Sequence, residues 1–330
     1  MGVDIEALLT KKSKLIDAEL AAVFPKKGIA NLNDAIWYTL PGGKRIRPIL
    51  AIMTCEALGG NSKQVLPFAA ACEILHNWML VHDDIEDGDK VRRDKPTVWV
   101  KYGVPHGINI GDYMSEKVYE LILRSSKYGV SDKVICRLIE AMLNAAIKTS
   151  EGQAMDMNLR ENNNPTEKDY MKTVIGKTAY YFTVPMVGGA IIAGAGKKIL
   201  DKIIEFGRRA GPAFQITDDL LDLTEGKGRG EIGRDIKEGK RSILVVHCLS
   251  RCDSDEKASL LNILNKNPED TSSEDVAFVK ALFEKHGSIN YAGKKAKELV
   301  KEAKTAIKCL PAKLRSDLEF MADYLIERKK

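Results

Sequence analysis

Apolar residues recur at spacings of three and four along nearly the whole chain. Between residues 4 and 24, Ile5, Leu8, Leu9, Leu15, Ile16, Leu20 and Val23 keep this rhythm, the pattern of an amphipathic helix. Pro41-Gly42-Gly43 breaks it. Pro48 then stands where a helix can begin, because its missing N–H falls among the donors that a first turn leaves unpaired. Phe68, Cys72, Leu75 and Met79 form one stripe of a helix predicted over 67–87. A polar loop with Gly88, Pro96, Gly103 and Pro105 follows over 88–105. Helices are predicted at 107–127, 131–160, 167–195 and 198–223, then a loop at 224–239 rich in Gly, Lys and Glu. The tail, 241–328, reads as four or five more helices punctuated by Pro268, Gly287 and Pro311. No alternating strand pattern, solenoid-like repeat or low-complexity linker stands out. The expectation is a single all-α domain over residues 1–330.

Composition narrows the picture further. The chain has 330 residues, 44% hydrophobic and 29% charged, which is ordinary for a globular protein with a real core. Aromatics at 6% and only 11 prolines argue against an all-β fold. The excess of Lys+Arg over Asp+Glu, 51 against 46, is too small to imply nucleic acid but suits an anionic small substrate. The most apolar stretch, Val184–Gly196, is far short of the ~20 residues that a spanning helix needs. The N-terminus has no signal-peptide core, and Glu6 spoils a myristoylation pattern, so no membrane anchor is expected. The six cysteines include no CxxC pair, and the expected location is the cytoplasm, with reduced thiols. Cys248 and Cys252, four apart, read as helix packing rather than as a metal clip.

The chemistry lies in a recurrence. Asp83-Asp84-Ile85-Glu86-Asp87 is echoed 135 residues later by Asp218-Asp219-Leu220-Leu221-Asp222, each at the end of a predicted helix. Positions i, i+1 and i+4 of a helix bring three carboxylates toward one small volume. Like charges at i, i+4 cost helix stability, so stability gives no reason to place them there twice. Hard oxygen donors in this arrangement suit Mg²⁺ bound jointly by carboxylates and substrate phosphates. An EF-hand is excluded, since Ile85 stands where that loop needs an acid. His76, seven residues before Asp83, and Gln215, three before Asp218, extend the two acidic faces. Cations are grouped nearby: Lys44, Arg45 and Arg47 in a glycine-started turn, then Lys90, Arg92, Arg93 and Lys95. Lys177-Thr178 follows, and later Lys227, Arg229, Arg234, Lys237, Lys240 and Arg241. Arginine grips phosphate bidentately. The set suits two phosphorylated substrates, one held through Mg²⁺ and the other by cations directly.

These residues together resemble the trans-isoprenyl diphosphate synthases, the polyprenyl synthetase family. The matching features are Gly42-Gly43-Lys44-Arg45-Ile46-Arg47-Pro48, His76 with the first DDxxD, Arg92-Arg93, Gly152-Gln153-x-x-Asp156 and Lys177-Thr178. They continue with Phe214-Gln215 before the second DDxxD, Asp235-x-x-x-Gly239-Lys240, and a final helix around Leu318-x-x-Met321-Ala322-Asp323-Tyr324. The resemblance implies a helical bundle around a deep central cavity, usually as a homodimer. It implies that Lys44, Arg47, His76 and Arg93 hold isopentenyl diphosphate. Asp83, Asp84, Asp87, Asp218, Asp219 and Asp222 would hold Mg²⁺, typically three ions, around an allylic diphosphate. Arg92, Lys177 and Lys240 would contact that diphosphate, and Thr178 and Gln215 would stabilise the allylic carbon. Bulk at Trp78 and Met79, five and four residues before Asp83, would set chain length; a single aromatic at the fifth position resembles geranylgeranyl synthases. The expected product is geranylgeranyl diphosphate, with farnesyl diphosphate or both as the alternative. A terpene cyclase, a head-to-head synthase and an inactive partner subunit fit less well. Two departures from the family pattern are Asp94, where Gly usually follows the paired arginines, and Gly230, where a basic residue is common.

Overall fold

The computed structural model describes residues 5–41, 43, 45–224 and 231–327, with side chains from Lys12 onward. Lys44, Gly42, Lys227, Arg229 and Gly230 lie outside the described residues. Among the described residues the chain is built of helices and their connections, apart from one two-stranded hairpin. It divides into two compact units.

The first unit comprises residues 1–146, 181–204 and 309–317. It opens with α1 (Ile5–Val23), α2 (Asn33–Thr39) and α3 (Ile46–Ala57). The long α4 (Ser62–Glu86) follows, begun by Asn61, whose side-chain oxygen accepts from the Lys63 N–H at 2.9 Å. Ile16, Leu20 and Val23 of α1 are buried, but Leu15 of the predicted stripe is 46% exposed. Phe68, Cys72 and Leu75 of α4 are fully buried. The loop predicted at 88–105 is more ordered than its polar sequence suggests. It holds strands β1 (Val91–Arg92) and β2 (Lys95–Pro96), antiparallel with Arg92 opposite Lys95, and then α5 (Val98–Tyr102). Next come α6 (Val104–Leu123), a 3₁₀ turn over Arg124–Tyr128, and α7 (Asp132–Arg160), whose residues to 146 belong here. α4 packs closely on α6 because Gly107 and Gly111 present no side chain. A Cβ on Gly107 would lie 2.8 Å from Ile85 Cδ1, and one on Gly111 2.0 Å from His82 Nε2.

The second unit comprises residues 147–180, 205–308 and 318–330. It takes the end of α7, then α8 (Glu167–Val174), capped by a reciprocal Thr166–Asp169 box. The single helix predicted over 167–195 is instead three pieces: α8, a π turn over Ile175–Ala179, and α9 (Tyr180–Ile192), which from Tyr181 onward belongs to the first unit. α10 (Lys197–Asp222), whose residues from Glu205 onward belong here, carries the second acidic string, and α11 (Arg234–Lys237) is a short turn inside the loop predicted at 224–239. The tail is five α-helices: α12 (Ile243–Leu249), α13 (Ser254–Leu264), α14 (Ser273–Lys285), α15 (Ser288–Ala306) and α16 (Ala312–Glu327), the last joining this unit from Leu318 onward. Phe206, Ile216, Ile243, Leu260, Val279 and Phe283 form its buried centre. Among the described residues no helix is long and apolar enough to cross a membrane.

Candidate active site

In the first unit, the last turn of α4 supplies Asp83 and Asp84, and its C-cap is Asp87. Asp84 and Asp87 are 3% and 5% exposed, while Asp83 is more open. The hairpin after α4 folds Arg92 back onto this end. Its Nε donates to Asp84 Oδ1 at 2.5 Å and its Nη2 to Asp89 Oδ2 at 3.3 Å. Arg92 is therefore ion-paired to the acidic string that it follows. Burial, with the carboxylates of Asp89 and Asp83, lifts Asp84 to about 7 against the pull of Arg92.

Two turns back along α4, around His76, the charge reverses. The His76 ring stacks on Tyr181, with centroids 6.1 Å apart, and Arg47 Nη2 donates to the Tyr181 hydroxyl at 2.6 Å. The Arg47 guanidinium also lies over the Tyr181 ring at 4.4 Å. Burial and then the positive fields of Arg47, Arg93, Arg92 and Arg45 hold the His76 pKa well below its ordinary value, so the ring is neutral at pH 7. Burial and neighbouring arginines also depress Arg93, opposed by Glu73. Four arginines thus surround a neutral imidazole.

Several parts of this cluster are not evident from sequence pattern. Arg45 does not face an anion site: it is buried, donating to Glu73 Oε1 at 2.7 Å and to Asp17 Oδ1 at 3.2 Å. Glu73 also accepts from Asn77 Nδ2 at 2.9 Å, and a Cβ on Gly43 would sit 3.3 Å from its Oε1. Glu73 thus anchors the basic turn to α4. Its position three residues before His76, on one helix face, is a signal that could have found it. Tyr181, more than a hundred residues away in sequence, had none.

Trp78 and Met79 are both half-buried on α4. The Trp78 ring meets His82 edge-on at 6.4 Å, and His82 lies against Gly111 of α6.

In the second unit, α10 carries Gln215, Asp218, Asp219 and Asp222. Asp219 is held from two sides: Tyr170 OH donates to Oδ2 at 2.9 Å and Gln215 Nε2 to Oδ1 at 3.0 Å. Gln215 in turn accepts from Thr178 Oγ1 at 3.0 Å, so the π turn and the acidic string are one hydrogen-bonded chain. Asp222 is fully buried, and its Oδ2 accepts from the Asp235 N–H at 3.0 Å. Lys177 Nζ pairs with Asp156 at 2.9 Å. Burial pushes the Asp156 pKa up, but Lys177, Lys240 and Arg160 together hold it below the usual carboxylate range. Lys240 pairs with Glu238 at 2.6 Å and with Asp235 at 3.2 Å. Arg241 is turned inward to the carbonyls of Gly239 and Asn162 and to Asn265, and burial lowers it to about 10. Arg234 and Lys237 pair with Glu238 and Glu231. A narrow cleft lined by Asp219, Asp222, Asp235, Lys240 and Ser242 opens beside the string.

The donor set fits a divalent cation. Both strings offer only hard carboxylate oxygens, and Asp84, Asp87, Asp219 and Asp222 are buried where ionisation alone is costly. Burial raises Asp84 even with Arg92 beside it, and a divalent charge there would favour its ionised form.

Sequence and fold comparisons now define the class: this is an isoprenyl diphosphate synthase, an enzyme that transfers prenyl groups. The chain belongs to the polyprenyl synthetase family, whose model matches residues 29–282. It is 35% identical over 313 residues to the geranylgeranyl diphosphate synthase of Saccharolobus solfataricus, covering 93% of each chain. It is 34% identical over 292 residues to the short chain isoprenyl diphosphate synthase of Methanothermobacter thermautotrophicus, covering 87% of each. The crystal structure of geranylgeranyl pyrophosphate synthetase from Pyrococcus horikoshii superposes with a TM-score of 0.89 at 35% identity, covering 98% of both chains. The family depends on divalent metal and joins isopentenyl diphosphate to allylic diphosphates.

Proposed function

We propose that this chain condenses isopentenyl diphosphate head-to-tail with allylic diphosphates and makes geranylgeranyl diphosphate, acting as a cytoplasmic homodimer whose 330 residues form one catalytic domain. The observation that carries the reading is the pair of DDxxD strings at the ends of α4 and α10, each with two of its three aspartates buried, in a chain that matches the family from 29 to 282. The exposed Val104 and Ile108 on α6 support a surface that a second copy covers.

Asp83, Asp84, Asp87, Asp218, Asp219 and Asp222 are the proposed ligands of Mg²⁺, three ions per site. Held by these residues, Mg²⁺ would supply positive charge to the leaving diphosphate, where stabilisation counts most as the allylic C–O bond breaks. Arg92, Lys177 and Lys240 add fixed positive charge to that leaving group. Lys44, Arg47 and Arg93 bind isopentenyl diphosphate, with neutral His76 offering a hydrogen bond rather than a charge. Thr178 and Gln215 place oxygen dipoles near the allylic cation. The double bond of isopentenyl diphosphate, held about 3–3.5 Å away, attacks that cation. One proton then leaves the new carbon chain for the departing diphosphate, restoring a double bond. Trp78 and Met79 limit how far the product extends below the first string.

The test is a product ladder. The purified protein is given isopentenyl diphosphate with dimethylallyl, geranyl or farnesyl diphosphate and Mg²⁺, and chain lengths are identified. Twenty-carbon product from every starter supports the proposal. Termination at fifteen carbons makes it a farnesyl synthase, and cyclised hydrocarbon from one diphosphate alone refutes prenyl transfer.

A further inference from the structure

We propose that Cys252, Glu256 and His286, with Cys248 beside them, bind one Zn²⁺ ion at a site separate from the aspartate strings. The proposal is independent of the reaction assigned above, which uses none of these residues. α12 ends at Leu249, and one further turn, closed by the Cys252 N–H donating to the Cys248 carbonyl at 2.9 Å, brings the two thiols to 3.6 Å. Tetrahedral zinc with Zn–S bonds of about 2.3 Å places two sulfurs about 3.8 Å apart. A sulfur of Cys252, a carboxylate oxygen of Glu256 and a ring nitrogen of His286 all lie within 4.8 Å of one another. His286 is the C-cap of α14, so the fold, not the sequence spacing, delivers the nitrogen ligand.

The carboxylate is already oriented. Glu256 is the third residue of α13 and closes a reciprocal capping box with Asp253. Its Oε1 is held by Lys285 Nζ at 2.5 Å, and its Oε2 faces His286 Nε2 at 2.8 Å. An ion seated there would tie the start of α13 to the end of α14. Sulfur and imidazole donors favour zinc over Mg²⁺, so this set and the all-oxygen aspartate strings select different metals. Burial keeps both thiols protonated at neutral pH, Cys248 up to about 12. Binding therefore releases each coordinated thiol's proton to solvent and leaves Zn²⁺, a closed-shell ion, unchanged in oxidation state.

The full chain, reduced and stripped with chelator, is titrated with Co²⁺ as a spectroscopic probe. One equivalent should produce a near-ultraviolet sulfur-to-cobalt charge-transfer band that Zn²⁺ then removes. Carboxylate-bound cobalt at the aspartate strings cannot give that band. Cys252→Ser should abolish it, and His286→Asn should weaken binding by more than about a hundredfold, beyond the roughly 10–100-fold that loss of an outer-shell partner typically costs. Zinc should raise the melting temperature of the parent protein and not that of Cys252→Ser. Both variants should keep Mg²⁺-dependent prenyl transfer, which also verifies that they fold. Absence of the band in reduced parent protein overturns the proposal, as does an unchanged band in Cys252→Ser. So does isolation of a Cys248–Cys252 disulfide that, once reduced, takes up no metal.

Discussion

Arg93 and Asp94 occupy the two-residue turn between β1 and β2, both in the left-handed region, with φ of 52° and 59°. A hairpin turn of this kind favours glycine or asparagine, because a Cβ is strained there. The departure at Asp94 thus falls where the family's usual glycine relieves strain. Asp94→Gly removes a left-handed strain of roughly 1–2 kcal/mol and adds about 0.5–1 kcal/mol of glycine entropy, so it is expected to stabilise the protein by about 0.5–1 kcal/mol in chemical denaturation, whereas Asp94→Val should destabilise it. His76 gives a second expectation. Its pKa is depressed in the fold and ordinary in the unfolded chain, so below about pH 6.5 the unfolded state takes up a proton that the native state refuses. Stability is unaffected above that pH and falls as pH drops below it. His76→Gln should flatten the decline of the urea midpoint between about pH 6.5 and 5, and an unchanged slope would place the charged ring in the native state. The aspartates are legible in the sequence because i, i+1, i+4 spacing encodes one helix face. Tyr170 and Tyr181 are not: both are ordinary core-compatible tyrosines, and only contact across the fold reveals what their hydroxyls serve.

Helix content is legible from apolar periodicity, which reports which face packs. What periodicity cannot report is how the backbone turns within a helix. The stretch 167–195 has an unbroken apolar pattern, yet its i→i+4 ladder gives way to a π turn at Ile175–Ala179. Such turns often mark functional positions, and this one carries Lys177 and Thr178. It is fitted against α7 at Gly152, where a Cβ would lie 2.0 Å from the Lys177 nitrogen and 2.4 Å from the Gly176 carbonyl carbon. Backbone on both sides leaves nothing to rotate away. Gly152→Ala should cost about 1–3 kcal/mol by overpacking and lower kcat more than a stability loss alone explains, because Lys177 and Thr178 move with the turn. A variant that melts lower but turns over normally would detach the π turn from catalysis. The segment 88–105 hides its structure for the opposite reason: its polar residues fold locally, into a hairpin too short to show alternation and a five-residue helix.

At the scale of the molecule, family membership rests on matches along most of the chain, and the proposed product rests on few residues. Trp78→Ala is expected to shift products beyond twenty carbons, read by chromatography of the dephosphorylated alcohols; an unchanged ladder would remove Trp78 as the floor. The catalytic proposal itself requires both aspartate strings. The most direct measurement is the single-turnover rate of diphosphate release from an allylic substrate, with isopentenyl diphosphate and saturating Mg²⁺, in the parent protein, Asp83→Ala and Asp218→Ala. Each variant should retain its circular dichroism and lose about a hundred- to thousandfold or more in rate, the scale of a lost transition-state charge contact. A near-parental rate in either variant would contradict the account.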